Sequence, residues 1–93
     1  MKTINSPPYQ RLLELLIATR NESGMTQQQL SEKLLRPQSY VSKYERGERR
    51  LDVVEFLLVV QSLGAEPFAL LREIQPLLKQ LGRNPKNNVG DDQ

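Results

Sequence analysis

The sequence predicts an all-α fold of five helices in one domain. Proline and glycine divide residues 6–81 into five segments, and each segment carries apolar residues at helical spacing. Strand signals are scarce, because the paired valines at 53–54 and 59–60 lie inside a helical pattern. A chain of 93 residues allows one such domain with short tails. We expect residues 1–5 to be flexible and residues 82–93 to be disordered.

The composition argues against an enzyme. The chain has no cysteine and no histidine, which excludes disulfides, thiolate catalysis, Cys/His zinc sites and a Ser-His-Asp triad. A chain this short also leaves little volume for a substrate pocket. We therefore expect no catalytic residues, no cofactor and no bound metal.

The charge is unevenly distributed along the chain. Residues 1–50 carry nine Lys/Arg against five Asp/Glu, whereas residues 51–93 carry four against six. The densest stretch is 36–50, with five basic and two acidic residues. A basic half of this kind favours a polyanionic partner. The sequence has neither a signal-peptide pattern nor an apolar run long enough to cross a bilayer, so we expect a cytoplasmic protein with no membrane partner.

The first predicted helix begins after Ser6, a good N-cap that is followed by proline in the first turn. We expect it to end between Asn21 and Gly24. One face carries apolar residues at i, i+3, i+4 and i+7, namely Tyr9, Leu12, Leu13 and Leu16.

The second predicted helix is short. Thr26 with Gln29 three residues later is a capping-box signature. Leu30 and Leu34 then give one apolar side, and the helix stops before Pro37, which biases Arg36 toward extended backbone.

The third predicted helix runs from Pro37 or Gln38 to Arg46 and closes at Gly47, a residue suited to a helix C-terminus. We expect Tyr44 to pack inward and Tyr40 to lie at the rim. The opposite face is polar and becomes basic toward its end, with Gln38, Ser39, Ser42, Lys43 and Arg46.

The fourth predicted helix starts at a second capping box, Asp52 with Glu55, and ends at Gly64. Apolar residues cover so much of it that we expect it to be the most buried helix. That wide apolar face comprises Val53, Phe56, Leu57, Leu58, Val59, Val60 and Leu63.

The fifth predicted helix covers residues 66–81. Pro76 removes a backbone donor in its middle, which predicts a kink or a split after Gln75. Its leucines occupy more than one face, and a small bundle cannot bury both, so a second copy of the chain is expected to cover the surplus. The candidates for this homodimer contact are Leu70, Ile74, Leu77, Leu78 and Leu81.

Two short helices joined by a tight turn, the second with a polar face, form the helix-turn-helix pattern. The major groove of B-DNA accepts one α-helix. Gln38 can present its amide to adenine, Ser39 allows close approach, and Lys43 can reach a guanine edge or a phosphate. Thr26 and Gln27 lie at a helix N-terminus, where unpaired N–H groups favour a phosphate.

Two stretches of the sequence resemble the Cro/C1-type (XRE-like) helix-turn-helix family of phage repressors and bacterial regulators. They are Thr26 to Leu34 and Gln38 to Arg50, and the run Ser42 to Gly47, with its Ser-Lys-x-Glu-x-Gly pattern, is specific to that family. The resemblance covers about residues 8–72.

This resemblance implies a five-helix, lambda-repressor-like DNA-binding domain with the helix-turn-helix at helices 2 and 3. It implies that Gln27 contacts a phosphate and braces Gln38, and that Glu45 pairs inside the fold. Base-reading positions would be Gln38, Ser39 and Lys43, and candidates for backbone contacts would be Tyr40, Ser42, Arg46, Arg49 and Arg50.

The turn departs from the family pattern, because Leu35 stands where the family has a glycine with positive φ. Either Leu35 adopts that left-handed conformation at about 1–2 kcal/mol, or helix 2 continues and the turn differs.

The predicted function is sequence-specific binding of double-stranded DNA by a homodimeric transcriptional repressor on a palindromic operator. The alternative is an antitoxin or adaptor that binds a toxin or another protein through helix 5 and the tail.

Overall fold

A computed structural model describes residues 6–82 of the chain, with side chains up to Lys79. It contains five helices in that range and no strand: α1 Pro7–Ser23, α2 Gln27–Lys33, α3 Ser39–Glu45, α4 Val53–Ser62 and α5 Pro67–Gly82. The predicted all-α, five-helix fold is confirmed. The expectations of flexible residues 1–5 and a disordered tail fall largely outside the described residues.

Local side chains set where three helices begin, as predicted. The Ser6 hydroxyl accepts a hydrogen bond from the Tyr9 N–H and caps α1. Thr26 and Gln29 form the reciprocal capping box of α2, with bonds of 3.0 and 2.9 Å. An equivalent box starts α4, where the Asp52 carboxylate accepts the Glu55 N–H at 2.7 Å. Each cap satisfies N–H groups that have no partner within the helix.

Leu35 adopts the left-handed conformation, with φ of 59°. The N–H of Leu35 donates to the Glu32 carbonyl and that of Arg36 to the Ser31 carbonyl, which is the Schellman ending usually made with glycine. The first alternative for the turn is therefore correct. The Leu35 side chain is 90% exposed, so its packing does not offset the backbone strain.

All five helices contribute to one core. It is built from side chains that the five apolar faces turn inward, including Leu16, Leu30, Val41, Tyr44 and Val59, all fully buried. Tyr44 packs inward, as predicted. Tyr40 was expected at the rim but is also buried at 7% exposure, and its ring meets Tyr44 edge-on at 5.8 Å.

The expectation that α4 is the most buried helix is wrong. Its inner face packs into the core through Phe56, Val59 and Val60. The other short helices cover one side of α4 well, and they leave the apolar residues that continue around it only partly covered. Four of them are therefore exposed, namely Val53, Val54, Leu57 and Leu58.

The α5 helix continues through Pro76, so the predicted split after Gln75 does not occur. Pro76 has no N–H to donate to the Arg72 carbonyl four residues earlier. Both residues are exposed, so water can solvate that carbonyl. Leu70 and Ile74 hold the inner side of the helix in the core. Within the described residues, no helix is long and apolar enough to span a membrane.

Candidate nucleic-acid interface

The α3 helix divides into a buried and an uncovered face. Tyr40, Val41 and Tyr44 point into the core. On the other side, Ser42 is half-buried and the remaining polar residues are exposed, namely Gln38, Ser39, Lys43 and Arg46. Among residues 6–82, no other helix covers the predicted polar face, and a helix that enters a major groove requires such an open face.

A buried serine on α2 holds the start of α3. The Ser31 hydroxyl is fully buried, donates to the Gln38 carbonyl at 3.2 Å and accepts the Val41 N–H at 3.4 Å. These two bonds position the first turn of α3, and with it Gln38, relative to α2. Sequence reasoning missed Ser31, because an isolated serine in a polar helix carries no signal that it will be buried.

A second polar cluster joins α1, the start of α2 and the end of α3. The Arg20 guanidinium donates to both carboxylate oxygens of Glu45, at 2.7 and 3.1 Å, and to the Met25 carbonyl at 2.9 Å. The Arg20 and Glu45 side chains are 11% and 5% exposed. The hydrogen bond to Glu45 raises the pKa of Arg20.

The expected pairing of Glu45 inside the fold is confirmed, but its partner Arg20 was not identified from the sequence. The Gln27 amide nitrogen also donates to Glu45, at 2.8 Å. The bracing partner of Gln27 is therefore Glu45 and not Gln38. This bond fixes the N-terminal turn of α2 against α3.

Two arginines converge on Tyr40 and Glu55. The guanidinium carbons of Arg36 and Arg49 lie 4.8 and 5.0 Å from the centre of the Tyr40 ring. Arg49 also donates to both Glu55 oxygens, at 3.1 and 2.8 Å. Arg36 approaches the same carboxylate at 3.8 Å. The bond from Arg49 lowers the pKa of Glu55 to about 2.

This cluster changes what Tyr40 can do at a DNA surface. Its ring is covered, so it supports the two guanidiniums through cation–π contact. Arg36 lies over Tyr40 together with Arg49, although the sequence counted it only within the basic stretch 36–50 and placed it in the turn. Its position in the turn gave no sign that it would meet Tyr40.

Two further arginines follow α3. Arg46 donates to both carboxylate oxygens of Glu48, at 2.8 and 3.1 Å, and to the Ser42 hydroxyl. Arg50 stacks on the Tyr9 ring at 4.5 Å, and the Tyr9 hydroxyl accepts the Leu51 N–H at 3.1 Å. The N-terminus of α1 thus holds the α3–α4 loop and Arg50 in place.

The predicted site residues fall into groups around α2 and α3. Gln38, Ser39 and Lys43 are exposed together on the outer side of α3. Thr26 and Gln27 form the start of α2, and the predicted arginines occupy the end of α3 and the loop after it.

The predicted dimer residues do not form one exposed stripe. Leu70 and Ile74 are buried in the core of the single chain, Leu77 is half-buried and Leu78 is 51% exposed. The Leu81 side chain lies outside the described residues. The exposed apolar residues of α5 are instead Phe68, Leu71 and Leu78, in addition to the four on α4.

Comparisons with known proteins agree with this architecture. A family described as helix-turn-helix matches residues 16–70. A solved structure of an XRE-family-like protein from Pseudomonas syringae pv. tomato str. DC3000 is 47% identical, with a TM-score of 0.74 over 82% of this chain and 93% of that one.

A second structure, a mutant of the restriction-modification controller protein C.Esp1396I, is 21% identical, with a TM-score of 0.67 over 86% of this chain and 99% of that one. It supports the fold alone. Among curated proteins, none matches this chain.

Proposed function

We propose that this chain, which belongs to the Cro/C1-type (XRE) helix-turn-helix family of DNA-binding transcription regulators, represses transcription as a homodimer on a palindromic operator. The observation that carries the proposal is the two-sided α3 helix. Its inner face packs into the core, and its outer face presents polar and basic side chains that no other part of the described chain covers.

The start of α3 reads bases in this proposal. Gln38 offers an amide whose donor and acceptor match the major-groove edge of adenine. Ser39 is short enough for close approach, and Lys43, just over one turn later, reaches a guanine or a flanking phosphate. The two hydrogen bonds of Ser31 support this role, because they limit how far the first turn of α3 can shift.

The surrounding groups bind the phosphate backbone. Thr26 and Gln27 occupy the positive end of α2, where backbone N–H groups favour an anion. Ser42 lies on the outer side of α3 and the arginines lie at its end and in the loop after it. Tyr40 acts through the guanidiniums it supports. These contacts would supply most of the affinity and make it salt-dependent, while α3 supplies sequence preference. The arginines in this set are Arg46, Arg49 and Arg50.

The exposed apolar residues of α4 and α5 support a homodimer. In the described part of α4 and α5, seven large apolar side chains are exposed in the single chain, and exposed apolar surface of this kind marks interaction sites. A two-fold dimer would place two α3 helices in successive major grooves about 34–36 Å apart, which matches a palindrome. A dimer on a promoter would block polymerase.

Selection from a pool of random duplexes tests this function. The protein is expected to enrich an inverted repeat whose half-site centres are about 10 bp apart. Enrichment of one half-site would retain DNA reading and reject the dimer. No enrichment, together with no shift of a random duplex at low salt, would favour the adaptor or antitoxin alternative, in which helix 5 and the tail bind another protein.

A further inference from the structure

The ending of α3 turns an acidic side chain back onto the proposed DNA surface. Gly47 has φ of 78°, its N–H donates to the Tyr44 carbonyl at 3.0 Å, and the Glu48 N–H donates to the Lys43 carbonyl at 2.9 Å. This Schellman ending reverses the chain direction. Glu48 therefore lies beside the last turn of α3, and not farther along the loop.

In that position the Glu48 carboxylate accepts hydrogen bonds from the Arg46 guanidinium. Two parallel bonds of 2.8 and 3.1 Å join the two side chains, and both remain more than half exposed. An arginine binds a phosphate with the same two-pronged geometry. The Glu48 carboxylate thus sits where a DNA phosphate would bind Arg46.

Lys43, a second cation of the proposed DNA-binding surface, also acts on the Glu48 carboxylate. The hydrogen bond from Arg46 lowers the pKa of Glu48, and the charge of Lys43 contributes in the same direction. Glu48 is therefore ionised at neutral pH and close to two groups that would face DNA.

Glu48 differs from the other acids that pair with an arginine near α3, Glu45 and Glu55. Glu45 is nearly buried against Arg20. Glu55 caps α4 and is mostly buried, which gives it a structural role. In the described part of the chain, the Glu48 carboxylate bonds to Arg46 alone. An exposed pair of this kind contributes little to folding, so its effect is expected on binding.

We propose that Glu48 is an internal competitor for DNA phosphate, which holds Arg46 in the free protein and must be displaced before a backbone phosphate binds there. The inference rests on the proposed function, because it requires Arg46 to face the duplex. Glu48 would lower affinity for every sequence to a similar degree and reduce the salt dependence of binding.

The test compares Glu48→Gln with wild type on a random duplex over a series of salt concentrations. The amide keeps the side-chain shape and removes the charge. Binding is expected to strengthen about threefold to fivefold, the range that an exposed ion pair allows. The slope of log K against log salt should steepen by about 0.9, because one more phosphate is neutralised without a competing anion.

Two matched variants separate this mechanism from a general change in charge. Glu66→Gln removes one exposed carboxylate from the α4–α5 turn, and it should change the affinity less than twofold. In an Arg46→Gln background, the additional Glu48→Gln change should lose most of its effect, because the group that Glu48 blocks is gone. Thermal unfolding would verify that all variants fold.

Three results would overturn the inference. Glu48→Gln could change the affinity as little as Glu66→Gln does. It could strengthen binding equally in the Arg46→Gln background. It could also weaken binding, which would mean that Glu48 orients Arg46 for DNA. If wild type binds no duplex in the same assay, the proposed function fails and this inference fails with it.

Discussion

Arg20 and Glu45 form a nearly buried, two-pronged ion pair that joins α1 to the C-terminal end of α3 across 25 positions of sequence. The pair fixes the helix whose outer face we propose reads DNA, and Gln27 ties the start of α2 to the same carboxylate. The contacts that hold α3 in place are therefore polar as well as apolar.

Replacing Arg20 should destabilise the fold strongly. Arg20→Ala leaves the Glu45 charge in a site with 5% exposure, and breaking such a pair from one side costs about 3 kcal/mol. Urea unfolding measures the change. Arg11→Ala is the control, because its pair with Glu14 is exposed and is worth less than about 1 kcal/mol. Equal losses from the two variants would contradict a structural role for Arg20.

The Arg49–Glu55 pair predicts a pH dependence of stability. The pKa of Glu55 is depressed from 4.5 to about 2 in the folded chain. The ionised Glu55 therefore contributes fully to the free energy of unfolding above pH 4.5, and this contribution is lost as the pH falls toward 2. Melting temperatures of wild type should fall more steeply over that window than those of Glu55→Gln. Parallel curves would show that Glu55 does not hold this charge.

Leu35 predicts a stabilising substitution. Leu35→Gly relieves about 1–2 kcal/mol of strain from the left-handed backbone. Glycine also increases the entropy of the unfolded chain, which costs about 0.5–1 kcal/mol. The free energy of unfolding is therefore expected to rise by about 0.5–1 kcal/mol. Leu35→Ala keeps the Cβ atom and should leave stability nearly unchanged. Chemical denaturation of the two variants measures the difference. Equal stabilities would mean that the turn is unstrained.

Elements that depend on neighbouring residues could be predicted from the sequence. The caps at Ser6, Thr26 and Asp52 are decided within a few residues, and the sequence limited the turn at Leu35 to two alternatives. The contacts that position the site join distant parts of the chain, such as the Tyr9 hydroxyl and the Leu51 N–H, 42 positions apart. Periodicity carries no information on these contacts.

The same limit explains the errors on α4 and α5. A helix that is apolar on all sides predicts burial, but whether other elements cover each side depends on the whole packing arrangement. Leu58 is about half exposed because the other helices cover only part of its side of α4, whereas Ile74 is buried because α5 turns that face inward.

Gln38 is predicted to read one base position. Gln38→Ala should lose about 1–3 kcal/mol on the selected operator and relax discrimination at a single base pair. Gln28→Ala is the matched control, since Gln28 is an exposed α2 glutamine whose amide bonds Glu32. Quantitative binding to operators with single substitutions measures both. A uniform loss across all sequences would reassign Gln38 to the phosphate backbone.

The exposed apolar residues of α4 and α5 are predicted to hold the dimer. Leu78→Glu on α5 and Leu58→Glu on α4 each place a charge on a side chain that is about half exposed in one chain. The monomer tolerates such a charge, but an interface would have to desolvate it without a partner. Sedimentation velocity should show the dimer Kd rising at least about tenfold, which corresponds to about 1.4 kcal/mol.

Leu35→Glu separates this effect from a general response to added charge. Leu35 is the most exposed large apolar residue among those whose side chains the structure describes, and it lies on neither α4 nor α5, so its substitution should leave the dimer intact. Loss of dimer in Leu58→Glu but not in Leu78→Glu would place the contact on α4. If neither changes the sedimentation, the apolar residues serve another partner.

A true interface mutant should bind one half-site as wild type does and lose the added affinity of the second, since each α3 helix is held by its own chain.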